Sequence, residues 1–209
     1  MLPELTTNRP RLHRPEARAL SDHMETAAPP LLLSVEDYLK FEADGQVRHE
    51  FIGGRIHAMA GASEQHNLIS GNIHAAFHGH LRGGPCRAYI ADFKVRLEIN
   101  REDLFYYPDV MVSCVRDGLE KYYLRNARLL VEVLSDSTEA IDRREKLINY
   151  PQIPTLEEYV LVAQDRPEVT LLLRSEGWKP VVANSLEGAV EFRSIGLSMT
   201  LAEIYERAF

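Results

Sequence analysis

The sequence predicts a single domain of the α/β or α+β class built on a mixed sheet, and three observations carry that expectation. Segments of helical and strand period follow one another in the order helix, hairpin, helix, strands, helix, strands. Two short, dense apolar runs, Val110-Met111-Val112 and Leu129-Leu130-Val131, have the character of strands inside a sheet. The chain of 209 residues is 45% hydrophobic and 26% charged, which suffices for one sizeable core.

Taken in order, residues 1–30 are rich in Pro, Arg, Thr and Ala without apolar period and are expected to be a disordered tail. Met24 lies shortly before the first structured element and is a candidate start. The domain is expected to span 31–209. Ser34-Val35-Glu36-Asp37 is an acidic variant of the capping box and opens a helix carrying Tyr38, Leu39 and Phe41. Gly53-Gly54, between Arg48–Ile52 and Arg55–Met59, predicts a tight hairpin turn. Residues 64–81 predict a helix with Ile69, Ile73, Ala76 or Phe77, and His80 on one face, stopped by Gly83-Gly84-Pro85. Residues 86–99 alternate as one half-buried strand, Phe93, Val95 and Leu97 facing one way and Asp92, Lys94 and Arg96 the other. Strands follow near 107–114 and 128–134. Ser135-Asp136-Ser137-Thr138 opens a helix through Tyr150, broken by Pro151 and Pro154. Strands are expected at 158–163 and 168–174, turning at Asp165-Arg166-Pro167, and from Trp178 to Val182, with Trp178 in the core or on a dimer surface. A short helix closes the chain after Thr200.

The net charge of −7 gives no global attraction to nucleic acid, so any such binding rests on a local basic patch or on metals. Cys86 and Cys114 lack Cys-x-x-Cys spacing and are expected to be free thiols, which favours a reducing cytoplasm. No apolar run reaches the ~18 residues of a membrane span, and the N-terminus lacks the apolar stretch of a secretory signal. Neither a Gly-x-Ser-x-Gly nucleophile motif nor a P-loop is present.

The chemistry concentrates on Asp109 and Glu132, each set in an apolar strand. A carboxylate in such a place is costly to desolvate unless a cation or hydrogen bonds compensate it. The two could lie side by side on neighbouring strands, and a hard divalent metal is one natural compensation. The plainer alternatives are a strand-entry residue after Pro108 and a solvent-facing Glu beside a basic partner. His74 and His78, four apart on a helix, have a spacing that can hold Zn²⁺, but no third ligand accompanies them and a solvated or capping role is expected.

A series of motifs then resembles the Uma-type putative restriction endonuclease family, a branch of the PD-(D/E)XK nuclease superfamily. The matching stretches are Arg48-His49-Glu50-Phe51-Ile52-Gly53-Gly54-Arg55-Ile56, His66 with Ser70-Gly71-Asn72, and Tyr107-Pro108-Asp109-Val110. Leu130-Val131-Glu132-Val133-Leu134-Ser135-Asp136-Ser137-Thr138 follows, and the match runs through Asp142, Lys146 and Tyr150 to Glu158-Tyr159. The resemblance covers about residues 31–209. It implies a restriction-endonuclease-like core with an N-terminal helix, a hairpin and flanking helices. It also implies that Asp109 and Glu132 hold Mg²⁺, or Mn²⁺, and it adds Glu50 as a third acid that binds metal or orients water. Without the resemblance, Glu50 reads as an exposed edge residue.

The superfamily has a lysine two positions after the second acid, where this chain has Leu134. Lys146 is the candidate replacement, because Asp142, Lys146 and Tyr150 share one helical face. Its alternative is a solvent ion pair with Asp142, and Lys94 is a rival cation. His66, near a helix start, is expected to contact phosphate or orient water, with a packing or capping role as the alternative. Arg143 and Arg144 could touch a nucleic-acid backbone if their helix flanks the site. The resulting expectation is a Mg²⁺-dependent endonuclease acting on DNA, with a homodimer plausible because cutting both strands needs two sites. A catalytically inactive nuclease-fold module, or hydrolysis of another phosphoester, are the competing readings.

Overall fold

In the computed structural model, which describes residues 32–135 and 142–209 (backbone only at 142 and 143), Ser34 starts helix α1 (Val35–Asp44). Its hydroxyl oxygen accepts the Asp37 amide at 3.1 Å, satisfying a donor that the first helical turn leaves open. The hairpin β1 (His49–Ile52) and β2 (Arg55–Ala58) turns at Gly53 and Gly54, both at positive φ, as a two-residue hairpin matching strand twist requires. Ser63 caps the second helix, α2 (Glu64–His80), which buries Ile69, Ile73 and Phe77. His80, expected on that face, is exposed, and its Nε2 lies 2.8 Å from the Ile195 carbonyl.

The strand expected over 86–99 is two strands in two sheets. β3 (Arg87–Ile90) and β4 (Lys94–Ile99) flank a break in which Ala91 takes a φ of 53°. β5 (Glu102–Tyr106) and β6 (Val110–Ser113) are likewise separated at Tyr107-Pro108-Asp109, where proline offers no amide to a ladder. β3 pairs with β6 and β4 with β5, both antiparallel, so a long ribbon bends from one sheet into the other. Ile90 faces Val110 and Val95 faces Tyr106, leaving four residues (91–94) opposite three (107–109). The extra residue is a bulge at the bend. The Ala91 amide donates to the Asp109 carbonyl at 3.0 Å and holds this corner together.

Further strands of the two sheets are β7 (Tyr123–Leu124), β8 (Leu129–Leu134), β9 (Glu158–Ala163) and β10 (Val169–Leu173). β11 (Pro180–Ala183) starts two residues later than expected, after Gly177 and Trp178, both at positive φ. One sheet runs β2-β1-β5-β4-β7 and the other β11-β10-β9-β8-β6-β3. The second is mixed, since β8 and β9 are parallel while its other pairs are antiparallel. A small hairpin, β12 (Ala189–Phe192) with β13 (Leu197–Thr200), was not expected from the sequence. It leads into the closing helix Leu201–Ile204, which Thr200 and Glu203 open with a reciprocal capping box.

Strand alternation divides the core. Val110, Val112, Leu129, Val131, Val133, Val160 and Val162 pack with α2 and the closing helix on one face of the six-stranded sheet. Met111, Leu130, Leu134, Tyr159 and Leu161 pack with Tyr150 and with β4 and β5 on the other. Trp178 lies against this second core, with the Arg174 guanidinium 5.0 Å over its ring. Between β8 and β9 the described backbone is helical from Asp142 to Gln152: a π-turn (Asp142–Lys146), an α-turn (Leu147–Asn149) and a 3₁₀ turn (Tyr150–Gln152). Pro151 therefore sits within the last turn rather than ending the helix at Tyr150. The expected tail and the cap residues Asp136-Ser137-Thr138 lie outside the described residues.

The two cysteines are not free thiols. Cys86 and Cys114 form a disulfide, because β3 and β6 pair Arg87 with Ser113 and one step further along that ladder sets the cysteines opposite each other. The argument for a reducing compartment falls with that expectation. No helix among the described residues is long and apolar enough to cross a membrane.

Candidate active site

Asp109 and Glu132 face each other because of ladder register. Val110, the first residue of β6, pairs with Val131, so Asp109, just before that strand, and Glu132 on β8 are each one step beyond this pair. Glu132 alternates with Leu130 and Leu134 of the second core, so its carboxylate points to that face of the sheet, and Asp109 lines the same cavity. Glu132 is only 3% exposed. The compensation that such burial demands comes from the helical segment: Lys146 Nζ lies 3.0 Å from Glu132 Oε1, and the Tyr150 hydroxyl donates to the same oxygen at 2.7 Å. Burial, and then the Glu132 charge, push the Tyr150 pKa well above its ordinary value, so the hydroxyl keeps its proton and remains a donor.

Glu50 enters from the other sheet. β1 lies between β2 and β5, which makes Glu50 a buried residue rather than an exposed edge residue. Its Oε1 stands 3.1 Å from Lys146 Nζ without meeting hydrogen-bond geometry. One ammonium thus joins acids carried by two separate sheets. Asp109 has different partners: its Oδ2 accepts the Val133 amide at 2.7 Å and lies 3.2 Å from His66 Nε2. His66 is in the first turn of α2, and its own amide donates to the capping Ser63 hydroxyl at 3.1 Å.

Glu50, His66, Asp109, Glu132 and Lys146 line one cavity of about 310 Å³, walled by the loop 59–62 and by Ser135 and Gln164. A second cavity of about 320 Å³ continues past Asp109, His66 and Tyr107 towards Gln46, Arg48 and Asn67. The donor set fits a hard divalent cation in kind: all three candidate ligands are carboxylates, and Mg²⁺ typically takes only one or two from protein. The buried Glu50 Oε1, accepting no hydrogen bond, is a further oxygen suited to a cation. Among the described residues no three His, Cys, Asp or Glu side chains stand together as a ready coordination set. Lys146 Nζ stands between Glu50 and Glu132 instead.

Lys94 belongs elsewhere. It is buried rather than on a polar face, its Nζ donates to the Tyr107 hydroxyl at 3.2 Å, and it lies 5.0 Å over that ring. Burial lowers its pKa, opposed by the Glu42 charge. The Tyr107 hydroxyl donates to Glu42 Oε1 at 2.7 Å, and Glu42 also accepts the His49 amide at 2.8 Å. Lys146 is therefore the ammonium at the acid pair, and Leu134 is core. The Asp142 side chain, offered as a solvent partner for Lys146, lies outside the described side chains. His74 and His78 stack at 5.8 Å, and burial and then His78 lower the His74 pKa.

Tyr150 was not expected as a partner of Glu132, although its spacing from Lys146 on one helical face was the available signal. The contact of Tyr107, which stands in the Asp109 motif, with Glu42 was not expected either. Their meeting depends on α1 packing beside the sheet corner, which no local pattern reveals.

Comparison with known proteins agrees with this architecture. Residues 35–202 match the model of the Uma2 family, described as "Putative restriction endonuclease". The uncharacterized protein slr1290 of Synechocystis sp. (strain ATCC 27184 / PCC 6803 / Kazusa) is 36% identical over 181 residues, 86% of this chain and 94% of that protein. A second uncharacterized protein of the same organism, sll1609, is 31% identical over 144 residues, 68% of this chain and 80% of its own length. The crystal structure of a putative nuclease belonging to DUF820 from Anabaena variabilis ATCC 29413 superposes with a TM-score of 0.70. That match covers 85% of this chain and 99% of the other, and at 14% identity it shows a shared fold. The chain belongs to the Uma2 putative restriction endonuclease family.

Proposed function

We propose that the protein is a divalent-metal-dependent endonuclease that hydrolyses DNA phosphodiester bonds, with Mg²⁺, or Mn²⁺, held by Asp109 and Glu132 and assisted by Glu50. The observation that carries this reading is the single ammonium of Lys146 set against two buried acids of different sheets, within a cavity that Asp109 also lines. When bound, the cation supplies water activation and neutralises charge on the phosphate.

The chain's own residues supply orientation and charge. The Val133 amide and His66 fix the Asp109 carboxylate, and the Tyr150 hydroxyl fixes Glu132. Lys146 takes the part of the superfamily lysine, stabilising the charge that builds on the phosphate as water adds to phosphorus. His66, at the N-terminus of α2, contacts phosphate or orients that water. Hydrolysis breaks one P–O ester bond, leaving a phosphomonoester and a hydroxyl. The continuation of the cavity past Asp109 towards Arg48 suits a polymer that extends on both sides of the scissile bond. Cleavage of both strands of a duplex would engage two copies.

A catalytically inert nuclease-fold module is the second reading, favoured by Lys146 already standing between both acids. Plasmid nicking separates the two. The endonuclease nicks only with Mg²⁺ or Mn²⁺, Asp109→Ala and Glu132→Ala each abolish nicking while the fold persists, and Lys146→Met lowers the rate by about 10²–10³. Undiminished nicking in the Asp109/Glu132 double variant would overturn the proposal. Absence of carboxylate-dependent Mn²⁺ binding by calorimetry would favour the inert module. Activity on a small phosphodiester but on no DNA would point to another phosphoester.

A further inference from the structure

Away from the acid site, Cys86 of the disulfide lines a cavity with its own chemistry. Cys86 lines a space of about 340 Å³ between the end of α2 and β3, with His78, Arg82 and Arg87 around it. Leu81 and Tyr89 supply apolar wall. Among the described residues no Asp or Glu lines this cavity, although the chain as a whole carries −7. Cys114 does not line it, so a reagent entering here meets Cys86.

We infer that this cavity is a binding and exchange site for small anionic thiols, those carrying carboxylates. The arginines attract the carboxylate and the thiolate, and the cationic surroundings also favour the thiolate over the thiol. The incoming thiolate attacks Cys86 Sγ, a mixed disulfide forms with Cys86, the Cys86–Cys114 bond breaks, and Cys114 leaves as a thiolate. A second thiol of the same class attacks the mixed disulfide, releases the oxidised thiol dimer and leaves Cys86 reduced. Two thiols are oxidised and one disulfide is reduced, so the exchange balances. Its consequence is local: the disulfide ties the start of the edge strand β3 covalently to the end of β6, and exchange removes that tie, leaving the strand to its ladder.

The test compares reduction of the full-length protein by mercaptopropionate and by mercaptoethanol at equal thiolate concentration and low salt, followed by intact mass after acid quenching. An acidic protein should repel the anionic reagent, so a faster reaction with it must arise locally. The expected result is reduction about tenfold faster by mercaptopropionate, with the preference lost in 0.5 M salt and in the Arg82→Gln/Arg87→Gln variant. Equal or slower reduction by the anionic thiol overturns the inference, as does a preference that survives the double substitution. Recovery of the protein from aerobic buffer without the disulfide overturns it as well. The wild-type rate ratio decides the matter even if the variant fails to fold.

Discussion

Glu132 sits in a run that reads apolar on both sides, and an acid there must find a cation, hydrogen bonds or a metal. The structure supplies Lys146 and Tyr150 on one carboxylate oxygen. Asp109 was legible in the same way, whereas Glu50 was not, because its burial comes from β5 lying along β1 rather than from its neighbours in sequence. Tyr150 is fully buried, and its hydroxyl satisfies a charged acceptor. Tyr150→Phe should therefore cost about 1–3 kcal/mol, read as a lower urea midpoint at unchanged slope. An unchanged midpoint would mean that Glu132 draws its compensation from elsewhere.

At the scale of elements, the hairpin at Gly53-Gly54, helix α2 and the interior strands could be read from turn chemistry and period. The bent ribbon could not. Residues 86–99 alternate well enough to pass as one strand, and nothing in Ala91-Asp92-Phe93 announces a positive φ or a change of sheet. That bend is what removes Lys94 from the acids and sets it against Tyr107 and Glu42. Helix α2 serves the site through its first turn: Ser63 caps the His66 amide and donates to Gln164 Oε1 at 3.1 Å, while His66 reaches Asp109. Ser63→Ala should lower stability by about 1 kcal/mol, measured by denaturant unfolding. No loss of stability would show that the cap contributes nothing to holding this turn.

For the whole molecule, the two sheets matter because the site belongs to neither alone. Glu132 and Asp109 come from one sheet, Glu50 from the other, and Lys146 from the helical segment after β8. The motif series made the family legible, but the pairing of Cys86 with Cys114 was hidden by a separation of 28 residues and by dependence on β3–β6 register. The central claim is that Asp109 and Glu132, with Glu50 beside them, form a metal site in which Lys146 now pairs with Glu132 and Glu50. A Mn²⁺ anomalous-scattering map from crystals grown with the ion tests it most directly. The expected result is one peak about 2.1 Å from carboxylate oxygens of both Asp109 and Glu132, with the Lys146 ammonium drawn away from Glu132. A map with no peak between these acids, and Lys146 still bridging Glu50 and Glu132, would contradict it.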